Sequence, residues 1–203
     1  MGDADVDGPA HRRPRLATQS AFAEAAMNHR LFFALWPDDS VRDRIDETAA
    51  AVAHDHAPGG RRLRRDRLHL TLQFLGDFSP LPEAVTSAVL DAAARVACEP
   101  FTLTLDHAGS FRGSRVWWLG SSECPAALQV LHTALGAELA AEGVAVKAHP
   151  TFTPHVTIMR NVRKGLPATP VDAIDWRVDE FALIDSQPDR GYVELGRWPL
   201  RRR

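Results

Sequence analysis

The sequence predicts an α+β fold, and three observations carry that expectation. Strand and helix signals alternate from Arg30 onward. Closely spaced strand pairs also read as hairpins, which argues against a purely parallel doubly wound sheet. No GxGxxG or Walker-type loop occurs, so dinucleotide and nucleoside-triphosphate folds have no support.

Each element has a local reason. Arg30 to Trp36 is apolar and aromatic and is stopped by Pro37, as a strand is. Asp39 or Ser40 caps a helix through about His54, with Val41, Ile45 and Ala49 on one face. Ala57 to Gly60 breaks the chain. Arg61, Arg62, Arg64, Arg65 and Arg67 follow, and then a strand from Leu68 to Phe74 that Gly76 ends. A helix from about Leu81 to Ala97 carries Val85, Val89 and Ala92 on a common face. Phe101 to Leu105 and Val116 to Leu119 read as a hairpin around a loop from Gly109 to Ser114. Pro125 opens a helix to about Ala141, stopped by Gly143. A strand around Pro154 to Arg160 follows, and then a loop from Gly165 to Pro170. Trp176 to Asp185 and Gly191 to Trp198 read as a closing hairpin.

Composition narrows the functional classes. The chain has 203 residues, 45% of them hydrophobic, enough for a sizeable core. No apolar run reaches the roughly 18 residues of a membrane span. Asp3, Asp5 and Asp7 precede any apolar run, so the start does not read as a signal peptide. Residues 1–28 read as a mostly disordered extension, with Met27 an internal start that leaves the fold intact. Residues 29–203 form one domain. Cys98 and Cys124 are too few for a disulfide framework, and a reducing cytoplasm is expected. The net charge of −2 means that any nucleic-acid partner is met by a local basic patch.

One pattern occurs twice. His69-Leu70-Thr71-Leu72 and His155-Val156-Thr157-Ile158 both read His, apolar, Thr, apolar, in opposite halves of the chain. Random placement gives about 0.1 such copies. Residues i and i+2 of a strand share a face. Each His therefore stands beside its Thr, with the apolar pair on the opposite face. If the two strands face each other, two imidazoles and two hydroxyls converge. Two histidines supply a general base and a general acid. Two hydroxyls donate to anionic oxygens. Displacement at phosphorus needs both and no metal in principle. As a metal site the pair lacks a third ligand, for which Asp77 and His149 are the candidates.

At these residues the chain resembles the 2H phosphoesterases, and within them the bacterial RNA 2′,3′-cyclic phosphodiesterases, also called 2′-5′ RNA ligases. The likeness runs from Arg30 to Leu200. It includes Leu68 to Gly76, the hairpin from Phe101 to Gly120, and Phe152 to Arg160. It implies a bilobal fold, two pseudo-symmetric antiparallel-rich sheets with outer helices flanking a central cleft. It also implies His69 as proton donor and His155 as proton acceptor, a choice the symmetric chemistry leaves open. Water then attacks the cyclic phosphate, Thr71 and Thr157 hold its oxygens, and the product is a 2′-phosphomonoester. The expected partners are RNA ends or 2′,3′-cyclic nucleotides, with no cofactor, no metal and no membrane, and the protein a monomer.

Arg160 resembles the family's phosphate-side arginine. Strict alternation from His155 puts it on the Val156 face, and a bulge would return it to the cleft. Phe33 is the candidate base-stacking residue, since nucleic-acid readers often stack bases on aromatics, with core packing the alternative because Phe32 and Phe33 lie on opposite faces and at least one is core. Trp117 and Trp118 share that ambiguity, with core packing the expected role. Arg61 to Arg67 guide an RNA backbone or serve solubility. Two other readings stay open: a non-catalytic module binding nucleotides or RNA ends, and a phosphodiesterase for another cyclic phosphate, such as a cyclic ADP-ribose phosphate. Ligation of RNA ends uses the same displacement with a 5′-hydroxyl in place of water.

Overall fold

The computed structural model describes residues 28–57, 59–146 and 151–201. Almost all of the expected extension and the candidate ligand His149 lie outside them. The strands are β1 His29–Leu35, β2 Arg61–Arg62, β3 Leu70–Phe78, β4 Phe101–Ser110, β5 Val116–Gly120, β6 His155–Arg160, β7 Thr169–Val178, β8 Glu180–Gln187 and β9 Gly191–Pro199. The helices are α1 Asp39–His56, α2 Glu83–Arg95 and α3 Ala126–Ala141.

The strands form one antiparallel sheet in the order β7-β4-β5-β6-β3-β1-β8-β9, with β2 paired to β6. The two expected sheets are thus joined halves. Leu70 opposite Val156 is the one registered pair between β3 and β6. Both residues are fully buried in the main core, on the helix side of the sheet. The helices cover that side crosswise. Although α1 follows β1, it packs on β6 and β7, whereas α3 follows β5 and packs on β3. The second helix packs on α3 and β9.

Several local expectations change. Asp38, not Asp39 or Ser40, caps α1, its carboxylate accepting from Val41 N at 2.8 Å. That leaves Val41, Ile45, Ala49 and Val52 on the buried face. Gly76 does not end β3. It sits in the strand at φ +132°, beside a register shift that leaves Leu75 without a partner on β1. Gly109 and Ser110 belong to β4, not to a loop, and pair with Trp118 and Trp117. Trp176 to Asp185 is two strands. Asp179 alone separates β7, which pairs with β4, from β8, which pairs with β1 and β9. The apolar run hides this turn because both strands are buried at their junction. The closing hairpin is β8–β9.

Candidate active site

The antiparallel seam fixes the arrangement of the two motifs. With Leu70 opposite Val156, antiparallel counting sets His69 against Thr157 and Thr71 against His155. A local two-fold relation through the Leu70–Val156 pair therefore exchanges the motifs. Since Leu70 and Val156 point into the core, all four polar side chains face the opposite side.

The same relation extends past the motifs. In β3, Ala34 of β1 pairs with Thr71 and Phe33 with Gln73, so Leu72 is an extra residue. In β6, Trp118 of β5 pairs with Thr157 and Trp117 with Met159, so Ile158 is extra. Each motif strand thus bulges at the residue after its threonine. Both bulged residues are buried, and so are Gln73 and Met159 that follow them. The bulges turn Phe74 and Arg160 back to the cleft. Strict alternation would put Arg160 on the other face.

Both imidazoles are held in the same tautomer. His69 Nδ1 lies 2.7 Å from the Arg67 carbonyl oxygen, and His155 Nδ1 lies 2.8 Å from that of Thr153. A carbonyl only accepts, so Nδ1 donates in each ring and Nε2 keeps its lone pair. The rings sit among aromatics. Phe32 stacks on His69 at 5.0 Å and Trp36 at 5.7 Å, with Tyr192 edge-on at 5.4 Å. Phe111 meets His155 edge-on at 4.9 Å, and Trp118 lies beyond at 6.5 Å.

This setting disfavours the charged forms. Burial pushes the His69 imidazole down to about 4, and the charges of Arg160, His155 and Arg67 act the same way, against the Arg67 carbonyl. Burial also lowers His155, helped by Arg160 and opposed by the Thr153 carbonyl. Burial thus favours the neutral form of both rings in the free protein. Arg160 acts on both rings and His155 on His69, so the three groups lie within electrostatic reach of one another.

His69, Thr71 and Arg160 line a cleft of about 870 Å³ together with Phe32, Phe74, Tyr192 and the arginines 30, 61, 62, 64 and 67, whereas His155 and Thr157 stand across the seam outside that lining. The arginine run splits. Arg65 turns away to Asp39 and Asp43 on α1, whereas the other four reach the cleft. Arg67 lies over the Tyr192 ring at 4.0 Å. Asp77 lines the cleft but is engaged by Arg30 at 2.7 Å, so it is not poised as a ligand for the histidines. Among the described residues no three His, Cys, Asp or Glu side chains group as a metal site would require.

Phe33 is not a stacking residue. It is 0% exposed, packed against Phe181 and Trp198 in the core, because the β1 alternation turns it to the helix side. Its neighbour Phe32 takes the cleft side and is occupied by His69. Trp117 is core, whereas Trp118 reaches His155. Sequence reasoning missed Trp36, Phe111 and Tyr192, which wall the two imidazoles. No local motif marks them; only the aromatic-then-Pro37 ending of β1 hinted at Trp36.

The family model of the 2′-5′ RNA ligase superfamily matches residues 37–190. The chain is 37% identical over 176 residues to the RNA 2′,3′-cyclic phosphodiesterase of Escherichia coli (strain K12), covering 84% of this chain and 96% of that protein. The crystal structure of E. coli LigT in apo form superposes with a TM-score of 0.72 at 34% identity, over 87% of this chain and 99% of that one. LigT complexed with 3′-AMP gives 0.71, again at 34% identity, over 85% and 98%. The twin His-x-Thr seam and the match along most of the chain together show that it belongs to the 2′-5′ RNA ligase superfamily.

Proposed function

We propose that this protein hydrolyses 2′,3′-cyclic phosphodiester ends of RNA to 2′-phosphomonoesters, with His155 as base and His69 as acid. The observation that carries the reading is the pair of imidazoles with Nδ1 pinned to a carbonyl and Nε2 free, set across one seam beside two threonines. A relative named as an RNA 2′,3′-cyclic phosphodiesterase, and a related structure holding 3′-AMP, support the substrate class.

The reaction follows from that geometry. A cyclic phosphate brings one negative charge between the rings. It offsets Arg160 and favours protonation of an imidazole that is neutral in the free protein. Nε2 of His155 takes a proton from water as its oxygen bonds to phosphorus. The P–O3′ bond breaks, and protonated His69 gives Nε2–H to the departing O3′. Thr71 and Thr157 donate to the non-bridging oxygens as charge grows. A 5′-hydroxyl in place of water yields a 2′-5′ linkage by the same steps, so reversible ligation belongs to this reading. All four groups come from one chain, which supports a monomeric enzyme. The free Cys98 and Cys124 support a cytoplasmic one.

Incubation with 2′,3′-cyclic AMP, with and without EDTA, tests this. Formation of 2′-AMP at equal rates in both supports it. A 3′-AMP product would mean that the other oxygen leaves. Inhibition by EDTA, reversed by zinc, would place a metal in the mechanism. Binding without product over hours would reduce the protein to a binding module.

A further inference from the structure

Arg42 occupies an unfavourable position. It lies in the first turn of α1, the helix end where a positive charge opposes the dipole. Its side chain is 12% exposed, and burial works against its charge. Its Nε is buried and has no hydrogen-bond partner among the described residues. Asp39 compensates little, since it lies 3.4 Å away, is 82% exposed and is shared with Arg65. A local cost of this kind marks a group placed for what it holds.

What Arg42 holds is an indole. Its Nη2 donates to the Pro37 carbonyl at 2.7 Å, and its guanidinium carbon lies 5.6 Å from the Trp36 ring centre, within cation–π reach. Arg42 and Trp36 line a second cavity of about 550 Å³, and neither lines the catalytic cleft. The same indole stacks on His69 at 5.7 Å, only 13° from parallel, and Tyr192 meets it edge-on at 5.8 Å. Trp36 thus joins a guanidinium outside the cleft to an imidazole that lines it.

The stack bears on the proton that His69 gives. The Nδ1 hydrogen bond to the Arg67 carbonyl fixes one point of the ring. The rings on its faces fix its plane, Phe32 at 29° and Trp36 at 13°. Point and plane together aim Nε2. His155 is packed differently, with Phe111 at 80° and Trp118 at 58° to it. The near-parallel faces therefore belong to the ring that must become a cation, which an aromatic face favours.

We infer that Arg42 is a positioning residue for the acid: by holding Trp36 from outside the cleft, it fixes the plane of His69 and the aim of its Nε2. This rests on the acid role given to His69 above.

The experiment follows Arg42→Met, Trp36→Leu and the double variant in the full chain, by 2′,3′-cyclic AMP hydrolysis and by the His69 Cε1–H proton resonance. The resonance is identified by its loss in His69→Gln and read at about pH 8, where imidazoles are uncharged. A proton stacked over aromatic faces resonates at high field, so Arg42→Met is expected to move it to lower field. Its kcat is expected to fall about tenfold, less than the roughly 10²-fold cost of a 1 Å misplacement. KM should stay within about twofold, and the double variant should be no slower than Trp36→Leu alone, because coupled residues do not add. An unmoved resonance, a loss carried by KM, or losses that multiply in the double variant each overturn the inference. Where Arg42→Met does not fold, Arg42→Gln, which keeps a donor for the Pro37 carbonyl, decides by the same readings. If the wild type does not hydrolyse 2′,3′-cyclic AMP, the cyclic phosphodiesterase reading fails by itself. The resonance then decides alone: movement upholds the hold of Arg42 on His69, and no movement overturns it.

Discussion

Leu70 and Val156, each the residue between the His and Thr of its motif, face each other as the one registered pair joining the two halves of the sheet. Packing and chemistry meet there. The apolar side chains fill the core beneath the seam, and the same backbone positions set the histidines above it. Leu70→Ala is expected to cost about 2–5 kcal/mol, the range for a fully buried leucine. Activity should fall as well, since the emptied seam no longer fixes the spacing of the rings. Urea unfolding and turnover on the same preparation check this; an unchanged midpoint would contradict the packing argument.

Replacing either imidazole should stop turnover without unfolding the protein. His69→Gln and His155→Gln are each expected to lose about 10²- to 10⁴-fold in kcat, the usual worth of a positioned acid or base. Circular dichroism should match the wild type. Wild-type-like hydrolysis by either variant would end the two-histidine mechanism.

The threonines are expected to act on the transition state more than on binding. Thr71→Val and Thr157→Val each keep the shape and remove one donor. A kcat loss of about 10²- to 10³-fold, with KM changing much less, is the pattern of a donor aimed at developing charge. A rise in KM alone would assign them to ground-state binding.

Both imidazoles are lowered, His69 to about 4. The kcat/KM profile reports the free protein, so its bell should centre below pH 6.5, the ordinary imidazole value. The kcat profile reports the complex. There the phosphate anion raises both groups, and both limbs should move to higher pH. Initial rates from pH 4 to 9 decide it. A kcat/KM maximum at or above pH 7, or a kcat profile displaced towards acid, would contradict the burial described for these rings.

The motifs were legible because their information is local. A period of two places His69 with Thr71 and His155 with Thr157 wherever the strands lie. Most elements were legible from periodicity, as in α1 with Val41, Ile45 and Ala49 on its buried face, although its cap lies one residue earlier, at Asp38. What escaped depends on the other side of the sheet. Whether Phe32 or Phe33 meets the cleft is decided by which face of β1 the helices cover, and alternation alone cannot say. The faces of Arg160 and Phe74 follow from extra residues at Ile158 and Leu72, which only the partner strands reveal. The walls around His69 are remote in sequence, since Trp36 and Tyr192 are brought together by the pairing of β1, β8 and β9. The division of Trp176 to Asp185 escaped for a like reason, as Asp179 carries the chain between strands that belong to different halves.

The crosswise helices bear on how the molecule comes apart. Each half of the sheet is roofed by a helix grown from the opposite half, α1 over β6 and β7 and α3 against β3. Cutting the molecule along its internal symmetry would take α1 from β6 and β7 and α3 from β3, so neither repeat would keep its cover whole. Melting should therefore be a single concerted event that erases both motifs together, and the twin motifs correspond to no separable modules.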